Sequence, residues 1–180
     1  MKKIKFWMAI LCFLLSFIAH NFYDFFPSFL TSIFFPVNES VFEHMKIIFT
    51  CILLSSIVEY YVYKCKGIKT NNLTLSIPLT AIFGIVIYLL LYYFIEFIIP
   101  HSLYVTIALL FLVFLICERI SLYIQNKEKI KNEKVIGVVL IIICYLVFTI
   151  FTYKTPKYPI FYDNNSNVYG ICKEKGLLRN

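Results

Sequence analysis

Along this chain hydrophobic and polar positions segregate by whole segments: long apolar runs, each about the length needed to cross a bilayer, are separated by short polar breaks. Five runs predict five transmembrane helices, at about residues 5–26, 41–63, 73–99, 102–124 and 135–153. The expected fold class is therefore all-α, a polytopic membrane bundle. The first run follows Lys2, Lys3 and Lys5 and has the outline of a secretory signal peptide. Phe17 and Ile18, however, stand where a cleavage site wants small residues, so the run is read as a retained helix. Between the first two helices, PSFLTSIFFP is too apolar for a solvated loop and too short to span, which predicts an interfacial or re-entrant piece. Residues 154–180 form a polar tail in which TPKYPIFYD alternates proline and aromatics and NNSNVYG has turn composition. That tail is a candidate lid.

Composition fixes the class. With 61% hydrophobic, 19% aromatic and 15% charged residues, the 180-residue chain lies far from ordinary soluble domains. The net charge of +7 does not point to nucleic acid, because the basic residues cluster beside apolar runs rather than along one solvated face. They instead set a topology. Lys2, Lys3, Lys5, Lys64, Lys66, Lys69, Arg119, Lys127, Lys129, Lys131 and Lys134 share one side if the spans alternate, which places the N-terminus inside and the C-terminus outside. The six cysteines include no C-x-x-C pair and no metal-ligand spacing to a histidine, so a disulfide framework is not expected. The partner this composition implies is the lipid bilayer. A homo-oligomer is compatible with so small a bundle, and no sequence feature sets a number.

The chemistry concentrates in PVNESVFEHMK, residues 36–46. Ser40 and Glu43 have capping-box spacing, which predicts a helix start there. On that helix Glu39, Glu43 and Lys46 would share one face, and Ser40 and His44 a neighbouring stripe. The predicted topology brings His20, His44 and His101 to the outer ends of their helices, together with Asn21, Asp24, Asn38, Glu39, Glu43 and Glu96. Ionisable groups at membrane depth are costly and mark candidate sites. His20, Asp24, His44 and His101 are candidate ligands for a divalent metal such as zinc with one open coordination position, and Glu39 or Glu43 is a candidate general base. The simpler alternative is that these groups cap helix ends and bond one another. Glu59 and Glu118, near the inner ends, are expected to pair with Lys64 or Arg119.

No H-E-x-x-H, G-x-S-x-G or P-loop motif is present, nor the paired glutamates of intramembrane prenyl-protein proteases. Three functional classes fit: a metal-dependent hydrolase or transferase acting on a lipid or envelope substrate; a small transporter or ion-coupled permease with Glu43, Glu59, Glu96 and Glu118 along its path; and a structural or accessory membrane protein.

At HNFYD, PVNESVFEHMK and PIFYDNNSNVYGI the chain resembles a bacterial family of small integral membrane proteins of unknown function. The matching positions are His20, Phe22, Asn38, Glu39, Ser40, Phe42, Glu43, His44, Lys46, Asp163, Tyr169, Gly170 and Ile171. The resemblance spans most of the chain and implies a multi-pass protein of the bacterial cytoplasmic membrane. It implies no activity.

Overall fold

A computed structural model describes residues 1–99 and 102–171. Six α-helices are described: α1 (Lys2–Phe25), α2 (Phe29–Phe34), α3 (Val41–Cys65), α4 (Leu73–Ile98), α5 (Leu103–Gln125) and α6 (Glu133–Tyr153). All but α2 are long and apolar enough to span a membrane, as the hydropathy pattern predicts. The apolar piece between the first two spans is the short helix α2. Its N-terminus is closed by a reciprocal capping box, in which Ser28 Oγ accepts from the Thr31 amide and Thr31 Oγ1 from the Ser28 amide.

The bundle is organised around α3. It packs against α1 on one side and α4 on the other, while α5 packs on both α1 and α4, and α6 lies along α4. Consequently the first half of α3, through Ile52, is buried on nearly every face, while Leu54, Ile57, Val58, Tyr60 and Tyr61 in its second half are exposed; α4 and α6 present long rows of apolar side chains outward. In lipid that outward apolar surface is solvated, and close helix approach comes from small side chains rather than from a hydrophobic drive.

Two asparagines shape the turns ahead of α4 and α6. Asn72 and Asn132 take left-handed backbone with φ of 52° and 58°, a conformation Asn tolerates better than most residues. The Asn72 side chain donates to the Glu128 carbonyl at 2.9 Å and accepts from the Ile130 amide at 2.8 Å, tying the two loops together. Glu133 then accepts from the Leu75 amide at 3.2 Å, satisfying one of the free donors of the first turn of α4.

That junction makes a specific prediction at Gly137. A glycine inside a helix is ordinarily worse than alanine by about 0.5–1 kcal/mol, so Gly→Ala should stabilise. Here an added Cβ would stand 2.6 Å from the Thr74 carbonyl oxygen and 2.8 Å from the Leu75 nitrogen. Backbone cannot yield as a side-chain tip can, and overpacking costs about 1–3 kcal/mol. Gly137→Ala is therefore expected to lower the melting temperature of the detergent-purified protein; a rise would mean that α6 can lift off the start of α4.

After α6 the chain turns back. A 3-10 turn at Pro159–Phe161 leads into a two-residue antiparallel pair, β1 (Tyr162–Asp163) and β2 (Val168–Tyr169), with Tyr162 opposite Tyr169. The Phe161 ring packs on Phe42 of α3 with centroids 4.6 Å apart, bringing the tail onto the start of that helix.

Candidate functional site

The α2–α3 corner is built by two carboxylates with opposite fates. Ser40 caps α3, its hydroxyl accepting from the Glu43 amide at 3.3 Å, but the capping box is only half formed. The Ser40 amide donates instead to Asn38 Oδ1 at 2.9 Å. The Glu43 carboxylate is drawn inward, where Oε2 lies 2.7 Å from Lys46 Nζ and accepts from the Val37 amide at 3.1 Å. Its Oε1 accepts from the Thr152 hydroxyl of α6 at 2.7 Å. Lys46 spends its other hydrogens on the Ser32 carbonyl at 2.8 Å and on Thr152 Oγ1 at 2.7 Å. Both side chains are buried, with Glu43 at 2% and Lys46 at 0% exposure. This closed network holds α2, α3 and α6 together and leaves Glu43, a candidate general base from its sequence position, with every near neighbour already bonded.

Glu39 goes the other way. α3 begins at Val41, so Glu39 precedes the helix and shares no helical face with Glu43. The loop aims its carboxylate toward α1, where Oε2 lies 3.4 Å from His20 Nε2 and 3.4 Å from His44 Nε2. The two Nε2 atoms are themselves 3.2 Å apart, with the rings edge to face. His44 Nδ1 lies 2.9 Å from the Ser40 carbonyl, a contact that orients the ring with Nε2 toward the other two side chains. Hydrogen bonding to His20, and then to His44, holds the Glu39 carboxyl well below the usual carboxylate range.

Among the described residues these three side chains form the group that could share a metal ion. The edges of the triangle, 3.2, 3.4 and 3.4 Å, match a tetrahedral centre. With bonds of about 2.0–2.1 Å, tetrahedral ligand atoms stand roughly 3.3 Å apart. Three protein ligands, two nitrogens and one oxygen, would leave the fourth position open. His20 and His44 also form the polar end, with Asn21, of a cavity of about 290 Å³ between α1, α3, α4 and α5. Its walls include Phe13, Phe17, Ile47, Tyr88, Ile107 and Leu110. A ligand atom on these histidines would thus face a mostly hydrocarbon chamber.

The tail grips the same loop from its backbone side. Asn38 Nδ2 donates to the Gly170 carbonyl at 2.7 Å, and the Glu39 amide donates to Asp163 Oδ2 at 3.2 Å. Asp163 is fully buried, and its Oδ1 accepts from the amides of Asn165 and Ser166. Gly170 sits at φ 69°, where a side chain would be strained. Tyr169 packs on Tyr162 within the hairpin, with centroids 4.9 Å apart and the rings tilted by 50°. The residues of the sequence motifs thus divide: Asn38, Ser40, Asp163 and Gly170 shape the loop, and Glu39 is what the loop presents.

Of the other candidate ligands, Asp24 is exposed on the last turn of α1 and does not join the triangle, and His101 lies outside the described residues. Sequence reasoning did not find Thr152 and Ser32. Their only sequence signal is a polar residue in an apolar run, which is too common to single them out.

No curated protein and no solved structure matches the chain. A family model described as a family of unknown function, DUF6512, matches residues 1–171, and the chain belongs to that family.

Proposed function

We propose that this protein is a metal-dependent hydrolase or transferase of the bacterial cytoplasmic membrane, acting on a lipid or other envelope substrate. The observation that carries this reading is the triangle of His20 Nε2, His44 Nε2 and Glu39 Oε2, spaced as tetrahedral zinc ligands are, at the polar end of an apolar cavity. A bound zinc ion would supply a Lewis acid and a water acidified to a pKa of about 7. His20 and His44 hold the polar end of the chamber, Asn21 adds a hydrogen-bonding group beside them, and Phe13, Phe17 and Leu110 offer a surface for an acyl or isoprenoid chain. In this reading Glu39 is a ligand and Glu43 a structural group. With the N-terminus inside, the triangle lies at the outer face, where lipid-linked envelope intermediates are accessible.

Elemental analysis of the detergent-purified protein tests this. About one equivalent of zinc or another divalent metal is expected in the wild type, and less than a tenth of that in a His20→Ala/His44→Ala double variant that elutes as the same monodisperse species. A metal-free, well-folded wild type that takes up no zinc on reconstitution would remove the metalloenzyme reading.

A further inference from the structure

A second buried polar cluster lies at the opposite end of the bundle, and its charges do not balance. Lys5 of α1, Glu59 of α3 and Glu118 of α5 are 1%, 1% and 4% exposed. Lys5 Nζ stands 2.5 Å from Glu59 Oε1 and 3.1 Å from Glu118 Oε2, and donates to Ser121 Oγ at 2.6 Å. Both carboxyls thus share one ammonium, and the two oxygens nearest it, Glu59 Oε1 and Glu118 Oε2, have no hydrogen-bond partner among the described residues. The second oxygen of Glu59 accepts from Gln125 Nε2 at 3.3 Å, whose carbonyl in turn accepts from the Tyr63 hydroxyl at 3.3 Å.

The groups facing Glu118 can be counted helix by helix. α1 brings Lys5 and the Cys12 thiol, which donates to Ser55 Oγ at 3.0 Å. α3 brings Glu59 and Tyr63, and α4 the uncharged Ser76. α5 itself adds the Cys117 thiol, directed at the Thr80 carbonyl, and the exposed Arg119. Among the described residues no second lysine or arginine comes within ion-pair distance of either carboxyl. One ammonium therefore faces two carboxyls, an uncompensated buried charge that a membrane interior tolerates poorly.

We propose that Lys5, Glu59 and Glu118 form a proton-binding site, in which Glu118 takes up the balancing proton and exchanges it through the small cavity beside Arg119. Glu59 is the ionised partner, because it has the nearer ammonium contact and the Gln125 donor. Glu118 has only the longer one. A cavity of about 30 Å³ lined by Lys5, Phe6, Ala9, Leu115, Glu118 and Arg119 adjoins it. That is room for a single water, and Arg119 at its edge is exposed.

Infrared spectroscopy of the purified protein at neutral pH reads this directly, through the carbonyl band of an un-ionised carboxyl and its shift in D2O. The difference spectrum between wild type and Glu118→Gln is expected to show the loss of one such band. Glu59→Gln should lose it too, since a single carboxyl against Lys5 has no need of the proton. Lys5→Met, where it folds, should show two. Retention of the band in Glu118→Gln would overturn the assignment, and its retention in Glu59→Gln would show that burial rather than charge balance holds the proton. Absence of any un-ionised carboxyl in wild type, with sodium ions raising the melting temperature of wild type but not of Glu118→Gln, would make the site a metal-cation site and overturn the proposal.

Discussion

Lys46→Met is expected to destabilise the protein by about 3–5 kcal/mol, the range for removing one partner of a buried ion pair. The ammonium is fully enclosed and serves Glu43, the Ser32 carbonyl and Thr152 at once. Removing it leaves the Glu43 carboxylate buried with only the Val37 amide and the Thr152 hydroxyl as donors. The double variant Lys46→Met/Glu43→Gln should recover half or more of that loss. It removes the stranded charge, while the carboxamide keeps an acceptor for Val37 and gains a donor for Thr152, whose own hydrogen can go to the Phe148 carbonyl at 2.9 Å. Thermal unfolding in one detergent, compared across the two single variants and the double, measures the coupling. If Lys46→Met stays within the ~0.5 kcal/mol of an ordinary surface change, the network is not what ties α2 and α6 to α3.

The spans were legible because their signal is a sum over about 20 residues, which no single substitution obscures. The partners of the buried charges were not, because nearness in sequence is a poor guide to which helices pack. Glu59 and Glu118 sit close in sequence to Lys64 and Arg119, and the expected pairs followed from that. The structure pairs both with Lys5, which reads in the sequence as one of three lysines flanking the first span. Only the packing of α1 against both α3 and α5 reveals the contact. A similar limit applies at the other end. The spacing of Glu39 and Glu43 predicts a shared helical face, but that holds only if the helix has already begun. It begins two residues after Glu39, and the loop is free to turn that carboxylate toward His20 while Glu43 follows the helix inward.

Both clusters therefore hang on α3, and they differ in a way that bears on function. The Lys46–Glu43 pair is balanced, enclosed and saturated with hydrogen bonds, as a structural joint should be. The His20–His44–Glu39 triangle is partly exposed, with side-chain exposures of 37%, 24% and 35%, and its two histidines border a cavity. Groups that must meet a substrate need that access. The proximity of the two is economical in structural terms, because the saturated joint fixes the first two turns of α3, and so the position of His44, without itself needing to move.

His44→Ala is expected to weaken zinc binding by about 10²–10³-fold. Structural zinc sites with four ligands bind with about 10–16 kcal/mol, so each ligand accounts for roughly 2.5–4 kcal/mol, and about 1.4 kcal/mol corresponds to a tenfold change. His20→Ala and Glu39→Ala should fall in the same range, since each removes one corner of a triangle whose edges are nearly equal. Asp163→Asn should do less. It removes no ligand atom, but it presents an amide in place of a carboxylate to the Glu39 backbone N–H it now accepts from at 3.2 Å. Losing that hold on the loop belongs with outer-shell changes, at the lower end of their 10–100-fold range. Competition titration with a chromophoric chelator ranks the four variants on one scale. Three large and similar losses with one smaller loss identify a three-ligand centre positioned by the tail. Four small and equal losses would instead mean that His20, His44 and Glu39 only bond one another at the ends of their helices, and the catalytic reading would fail with them.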